Sequence, residues 1–221
     1  MRRAFSALLA LLLLFVPCFA EDVCVYRKGT ARGQVSLTFD DGPHSAYTRE
    51  ILQILKDLGV RATFFVIGEN ARQYPDILRE IHAAGHEIGN HTDSHAFLKN
   101  LTLASTCKEV SDAAKTIEEI VGVRPHVFRP PGGSYSDAKI AALSDMGYVS
   151  VLWSKDTRDW TCPSVQSVVN SATQNLSDGD IILFHDFNGK NSPTPEALRK
   201  IIPIIKEQGF SCVTVSEVLA H

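Results

Sequence analysis

The 221-residue sequence has few of the residues that would point to redox or cysteine-based metal chemistry. It holds five cysteines, two methionines and two tryptophans, and no CxxC pair. Without CxxC, a thioredoxin-like redox centre or a cysteine-ligated zinc module has little support. Past residue 33 there is no linker, no low-complexity tract and no internal repeat, so one catalytic-size domain is expected. An excess of positive charge is also missing: 22 Lys and Arg stand against 25 Asp and Glu, for a net charge of −3. That balance argues against a nucleic-acid partner or an anionic membrane surface. A hydrophobic share of 44% still leaves enough apolar side chain for a real core.

The one long apolar run sits at the N-terminus, from Leu8 to Val16, after Arg2 and Arg3 and before Pro17-Cys18-Phe19-Ala20. Positive charge, a short apolar stretch and a small residue before polar sequence predict a secretory signal peptide over residues 1–20, cut after Ala20. The run falls short of the roughly 18 to 20 residues of a membrane-spanning helix, so no transmembrane helix is expected after cleavage. Loss of Arg2 and Arg3 takes the mature net charge to −5. Export places Cys24, Cys107, Cys162 and Cys212 where disulfides are permitted, with three pairings open. Cys212, inside an apolar run, can equally be a simple buried thiol.

Residues 21–33 read as a short lead-in. From Gln34, strand-like apolar runs alternate with amphipathic patterns. Strands are expected over 34–39, 62–67, 87–90, 127–128, 148–153, 180–184 and 210–215. Helices are expected over 47–58, 75–84, 101–121, 137–146, 164–175 and 194–208. Repeated β–α order with apolar strands calls for a parallel sheet covered by helices, an α/β fold whose sheet is either a closed barrel or an open doubly wound layer. The domain is expected over 34–216, with 217–221 as a tail.

The chemistry-bearing residues fall where strands end, and that is where parallel α/β architectures build their sites. Asp40 and Asp41 follow the first of these strands; two adjacent carboxylates need a cation or donors to offset their repulsion. His91 and His95 follow the third, four apart, a spacing that lets two imidazoles meet on one face of a helical turn and chelate one ion. Two His and one Asp leave coordination positions open for water, as in catalytic rather than structural sites. Arg129 enters Pro130-Pro131-Gly132-Gly133 and can hold a carboxylate bidentately. Asp156 to Trp160 offers carboxylates and an aromatic platform of the kind that stacks on sugar rings. Leu183-Phe184-His185-Asp186 ends another strand, with an imidazole placed to act as general acid. His44, His82, His86, His126 and His221 read as ordinary surface or helix residues.

In order and spacing, Thr38–Pro43, His91–His95, Arg129–Gly133, Asp156–Trp160 and Leu183–His185 resemble the five motifs of NodB-like polysaccharide deacetylases, carbohydrate esterase family 4. The resemblance spans residues 34 to 216. It implies a distorted (β/α) barrel and a divalent metal, zinc first, held by Asp41, His91 and His95. It also implies Asp40 as general base, oriented by Arg129, and His185 as general acid, tuned by Asp159. Pro131, Leu183 and Trp160 would line the substrate pocket, and the Gly132 N–H would bind the oxyanion. Where the family often has Tyr, this chain has Gly132, which removes a side-chain wall that Tyr135 could partly refill. The implied activity is removal of N-acetyl groups from an extracytoplasmic polysaccharide such as peptidoglycan or a chitin-like glycan, by a chain acting as a monomer. O-deacetylation of acetylated xylan is the nearest alternative. An iron oxygenase built on two His and one carboxylate, or a silent glycan-binding protein, stands further off.

Overall fold

The computed structural model describes residues 24–187, 189 and 191–220; the expected signal peptide and His221 lie outside the described residues. In chain order the elements are β1 (Val25–Tyr26), β2 (Gln34–Asp40), α1 (Thr48–Asp57), β3 (Thr63–Val66), α2 (Gly68–Gln73) and α3 (Pro75–Ala83). They continue with β4 (Glu87–Asn90), α4 (Leu103–Val121), β5 (Val127–Phe128), α5 (Asp137–Asp145), β6 (Val149–Val151) and β7 (Lys155–Asp156). The last are α6 (Val165–Thr173), β8 (Ile181–His185), α7 (Thr194–Glu207), β9 (Ser211–Val213) and α8 (Val215–Leu219). The strands lie in the order β1-β6-β5-β4-β3-β2-β8-β7, with β9 on β2, and every ladder is parallel. The sheet is a curled, distorted (β/α) barrel in a single α/β domain.

Strand alternation divides this barrel into an inner and an outer layer. On β2, Val35, Leu37 and Phe39 face outward into the core under the helices, where Phe39 stacks on Phe64 at 4.9 Å and Phe184 at 5.6 Å between ring centroids. Their neighbours Ser36, Thr38 and Asp40 therefore point inward and are also buried. On β8, Ile182 and Phe184 join the outer core, while Ile181 packs inside with Phe65, Val127 and Val151. The barrel is thus apolar at its base and polar at the carboxyl ends of its strands, which is where all five motifs arrive.

Two segments differ from the sequence expectation. The stretch read as a lead-in supplies β1 on β6, and then runs on so that the Gly29 N–H donates to the Gly179 carbonyl and Lys28 pairs with Asp180 at 3.6 Å. It thereby seals the seam between β6 and the start of β8. At the other terminus, the run 210–215 is a strand only to Val213. Thr214 then opens α8 with a reciprocal capping box to Glu217, and Val215 and Val218 plug the base of the barrel. Residues expected as a tail from 217 are therefore part of a packed helix. α2 and the two-residue strands β1 and β7 were too short to register as periodic patterns.

The four cysteines Cys24, Cys107, Cys162 and Cys212 are all unpaired. Burial pushes the Cys212 thiol up to about 12, in keeping with its reading as a core residue. His86 is a core residue too: its Nδ1 accepts the Ala62 N–H, and burial lowers it to about 4. No helix among the described residues is long and apolar enough to cross a membrane.

Candidate active site

A cavity of about 410 Å³ opens at the carboxyl ends of the strands. Its lining combines Asp40, Asp41, His91, His95, Gly132, Asp156, Trp160, Leu183 and His185, all in the motifs read from sequence, with Phe97 and Trp153. Arg129 and Asp159 lie behind this surface, both fully buried. Pro131 is buried in the single turn of 3₁₀ helix that carries Gly132.

Asp41, His91 and His95 form the only three-residue His/Cys/Asp/Glu cluster among the described residues whose ligand atoms all lie within 4.8 Å of one another. Asp41 Oδ1 stands 3.2 Å from His95 Nε2 and 3.5 Å from His91 Nε2, yet it is buried without a hydrogen bond. Bonds of 2.0–2.1 Å to a tetrahedral ion place its ligand atoms about 3.3 Å apart, so the trio matches what a small divalent cation requires. The tautomer fits as well. His91 Nδ1 is 2.7 Å from the Arg129 carbonyl oxygen, to which it donates, and this leaves the Nε2 lone pair free for a cation. Burial alone would raise the Asp41 carboxyl, but its polar contacts with His91 and His95 outweigh it and hold the group well below the usual carboxylate range. His95 is raised by its contact with Asp41, against the effect of burial.

The two histidines do not converge on a helical turn, as their spacing suggested. Residues 91–95 form a loop in which Thr92 has φ 67° and His95 φ 57°. Asp41 is also left-handed at φ 76°. Each such residue costs about 1–3 kcal/mol, so the surrounding structure has to impose it. Here Glu109 on α4 accepts the N–H groups of Asp93 and Ser94, Asn90 Oδ1 accepts the Thr92 N–H, and Arg72 forks onto Asp93.

Asp40 sits on the last residue of β2, with Oδ1 accepting from Arg129 Nη1 at 2.7 Å. The same nitrogen reaches Thr38 Oγ1 at 2.8 Å, and Nη2 donates to the Leu152 carbonyl at 2.9 Å. The arginine therefore holds Asp40 through one bond rather than the expected bidentate fork, because its second arm is anchored to backbone. Its guanidinium lies 4.1 Å from the Phe65 ring centroid. Burial pulls Arg129 downward, and Asp40 opposes that.

On the other flank, His185 Nδ1 is 2.8 Å from Asp159 Oδ1, while Asp159 Oδ2 accepts from the His185 N–H and from Thr194 Oγ1. Burial would lower this imidazole, but the Asp159 carboxylate outweighs it and raises His185 to about 9. His185 is consequently an imidazolium at neutral pH, with Nε2 left for the cavity.

Asp186 escaped the sequence reading as a functional residue. It is 1% exposed, accepts from Thr48 Oγ1, and is raised to about 7, chiefly by burial. A Cβ on Gly42 would come within 2.1 Å of its Oδ2, so the turn that carries Asp41 packs directly on this carboxyl. The sequence reading placed the general acid at His185 and gave the adjacent Asp186 no role. At Gly132 the space left by the missing side chain is taken by Phe97: an added Cβ would lie 2.6 Å from its Cε1. Tyr135 packs instead against the Leu98–Phe128 cluster.

The comparisons with known proteins agree with this arrangement. The family model described as polysaccharide deacetylase matches residues 27–151. A peptidoglycan-N-acetylglucosamine deacetylase of Bacillus cereus is 41% identical over 189 residues, covering 85% of this chain and 88% of that one. A chitooligosaccharide deacetylase of Azorhizobium caulinodans is 35% identical, covering 81% and 91%. The crystal structure of a peptidoglycan N-acetylglucosamine deacetylase bound to a naphthyl N-hydroxybenzamide superposes with a TM-score of 0.86 at 33% identity, covering 89% of this chain and 92% of that one. Together with the five motifs gathered at one barrel mouth, these matches show that the chain belongs to the polysaccharide deacetylases, the NodB-like carbohydrate esterase family 4.

Proposed function

We propose that this protein is a secreted, metal-dependent hydrolase that removes N-acetyl groups from a glucosamine-containing polysaccharide outside the cytoplasm, peptidoglycan or a chitin-like glycan. The observation that carries the reading is the pairing of two separately buried dyads, Asp40–Arg129 and Asp159–His185, on either side of the Asp41–His91–His95 trio. One dyad supplies a base and the other an acid, as amide hydrolysis at neutral pH requires. Residues 1–20 as a cleaved leader, and the rest of the chain as a single monomeric catalytic unit, belong to the same reading.

Asp41, His91 and His95 are the residues that would hold the cation, zinc by preference for a two-His, one-carboxylate donor set. Such an ion supplies water acidification and carbonyl polarisation when bound. Asp40, fixed by Arg129, takes the proton from the attacking water. The Gly132 N–H donates to the oxyanion that develops on the acetyl oxygen; its φ of 61° turns that amide away from regular structure. His185, protonated through Asp159, gives its proton to the sugar nitrogen, which otherwise leaves poorly as an amide anion. Leu183 and Trp160 line the space that would take the acetyl group and its sugar, while Pro131, expected there too, is buried in the Gly132 turn and does not line the cavity. The preference for the amide over acetylated xylan is supported by the relatives, which are named as deacetylases of N-acetylglucosamine in peptidoglycan and of chitooligosaccharides.

The test is acetate release by the purified protein from peptidoglycan, N-acetylglucosamine oligomers and acetylated xylan, with and without a chelator. Release from the amino-sugar polymers that stops on chelation is the expected result. Release from xylan alone would overturn the N-deacetylase assignment, and activity indifferent to the chelator would overturn the role of the trio.

A further inference from the structure

Of the six large apolar side chains exposed among the described residues, only Phe97 and Trp160 line the active-site cavity, at 41% and 53% exposure. Large apolar groups left in water at the mouth of a site are informative in a way that scattered surface ones are not. They stand on different walls. Phe97 lies in the loop after β4 and leans on the loop after β5, whereas Trp160 follows β7; in the sheet, β3, β2 and β8 lie between.

We propose that Phe97 is a substrate-contacting, specificity-determining residue. Its ring is the platform for a pyranose next to the one whose acetyl group enters the cavity, on the wall opposite Trp160. The proposal rests on the deacetylase reading and names how the polymer, as distinct from the acetyl group, is recognised.

Three features make the ring a built surface rather than a loose side chain. Its neighbour Leu98 is fully buried in a core cluster with Val110 and Phe128, and the Leu98 carbonyl accepts from Lys139 Nζ, so the backbone under Phe97 is anchored. The ring meets the His95 imidazole edge-on, with 5.6 Å between centroids, and Lys99 holds its ammonium 5.9 Å from the ring centroid. Finally, the ring occupies the space where any side chain at residue 132 would begin. Gly132 and Phe97 therefore form one unit: the glycine lets the ring close over the loop, and the ring lines the cavity beside the Gly132 amide. Holding the ring in place before substrate arrives reduces the ordering cost of binding. The flat apolar face of a pyranose, with its axial C–H groups, is the ligand surface that matches an aromatic ring fixed in this way.

The contact is made by a sugar beyond the reacting one, so it predicts a dependence on chain length. Phe97→Ala and Phe97→Trp are compared with the parent protein on N-acetylglucosamine oligomers of one to six rings, reading KM and kcat for acetate release together with bound metal and thermal midpoint. Phe97→Ala is expected to raise KM roughly three- to tenfold on the longer oligomers, the scale of one aromatic face contact, with kcat and metal content unchanged. On the single sugar the variant and the parent should coincide, and Phe97→Trp should retain the parental KM. An equal loss at every chain length, no loss at any, or loss of metal with Phe97→Ala would overturn the proposal; the last would make Phe97 a support for His95. If the parent protein releases acetate from neither amino-sugar oligomers nor peptidoglycan, the deacetylase reading fails on its own. Where the oligomers release no acetate, the platform is judged by oligomer binding to the two variants, with the same dependence on length expected.

Discussion

The two zones of the barrel mouth are built on opposite principles. At its base the reacting groups are held by charges that water scarcely reaches: Arg129 and Asp159 are 0% exposed, and each positions a neighbour through bonds of 2.7–2.8 Å. At its rim Phe97 and Trp160 keep large apolar faces in solvent. Buried ion pairs are costly to assemble and costlier to break, so they fix geometry and protonation rather than adding net stability. Exposed aromatic faces cost little to leave open and contribute when a partner covers them. Rate should therefore depend on the base of the cavity and selectivity on its rim.

The largest break in that contrast should come from Asp40→Asn. The amide keeps the size of the carboxylate and can still accept from Arg129 Nη1, so the fold and the Asp41–His91–His95 trio stay in place. What is lost is the proton acceptor, and acetate release should fall by about 10²–10⁴-fold. Retention of near-parental activity, with metal content unchanged, would remove Asp40 from the role of base.

Arg129→Met probes the same dyad from its cationic side and should be felt in stability first. The guanidinium's bonds to Asp40, Thr38 and Leu152 disappear together, and the Asp40 carboxylate is left buried without its counter-charge. Breaking one partner of such a pair typically costs about 3–5 kcal/mol, readable as a drop in the urea midpoint. The double variant Arg129→Met, Asp40→Asn should recover part of that loss, since the uncompensated charge is then gone. If the double variant is as unstable as the sum of the single ones, the cost lies in packing around Phe65 rather than in charge.

Much of the base could be read in the sequence, and little of the rim could. Asp40, Asp41, His91, His95, Arg129, Asp159 and His185 stand at strand ends, and strand ends are marked by period-two burial giving way to Gly and Pro, so local pattern alone brings them to one side of a parallel sheet. The inward direction of Asp40 follows from the outward direction of Phe39 next to it. The contact of Phe97 with Gly132 joins residues 35 apart through a loop with no periodicity, and nothing in either neighbourhood announces it. The bond from Thr194 to Asp159 is of the same tertiary kind. Thr92 and His95 in left-handed backbone explain why a four-residue His spacing looked helical: two different chain paths bring i and i+4 imidazoles together, and spacing does not tell them apart. Residues Val215 to Leu219 misled for a related reason. A valine-rich continuation of a strand looks the same whether it stays extended or, as here, is turned into a helix by the Thr214 cap.

The mildest expected effect belongs to Asp159→Asn, and its value lies in its shape rather than its size. Burial pushes His185 down, and the Asp159 carboxylate is the largest of the charges that lift it to about 9, with Asp40 and Asp41 adding to it. Removal of the Asp159 charge lowers the imidazolium towards or below the ordinary value near 6.5, so the alkaline limb of the activity profile moves to lower pH. With the imidazolium at the ordinary value instead of about 9, its protonated fraction at pH 8 falls about thirtyfold and the rate with it, while at pH 6 the loss should be less than about twofold. The same linkage has a sign in stability. A histidine whose pKa is raised on folding stabilises the native state most below its unfolded value, and the contribution is lost as pH rises through about 9. The variant should therefore be less stable than the parent at pH 6, with the gap closing by pH 9 or above, as followed by thermal unfolding across that range. A rate loss of equal size at every pH would show that Asp159, which also holds Thr194 and the His185 backbone, acts by position alone. The base of the cavity would then fix geometry without setting protonation.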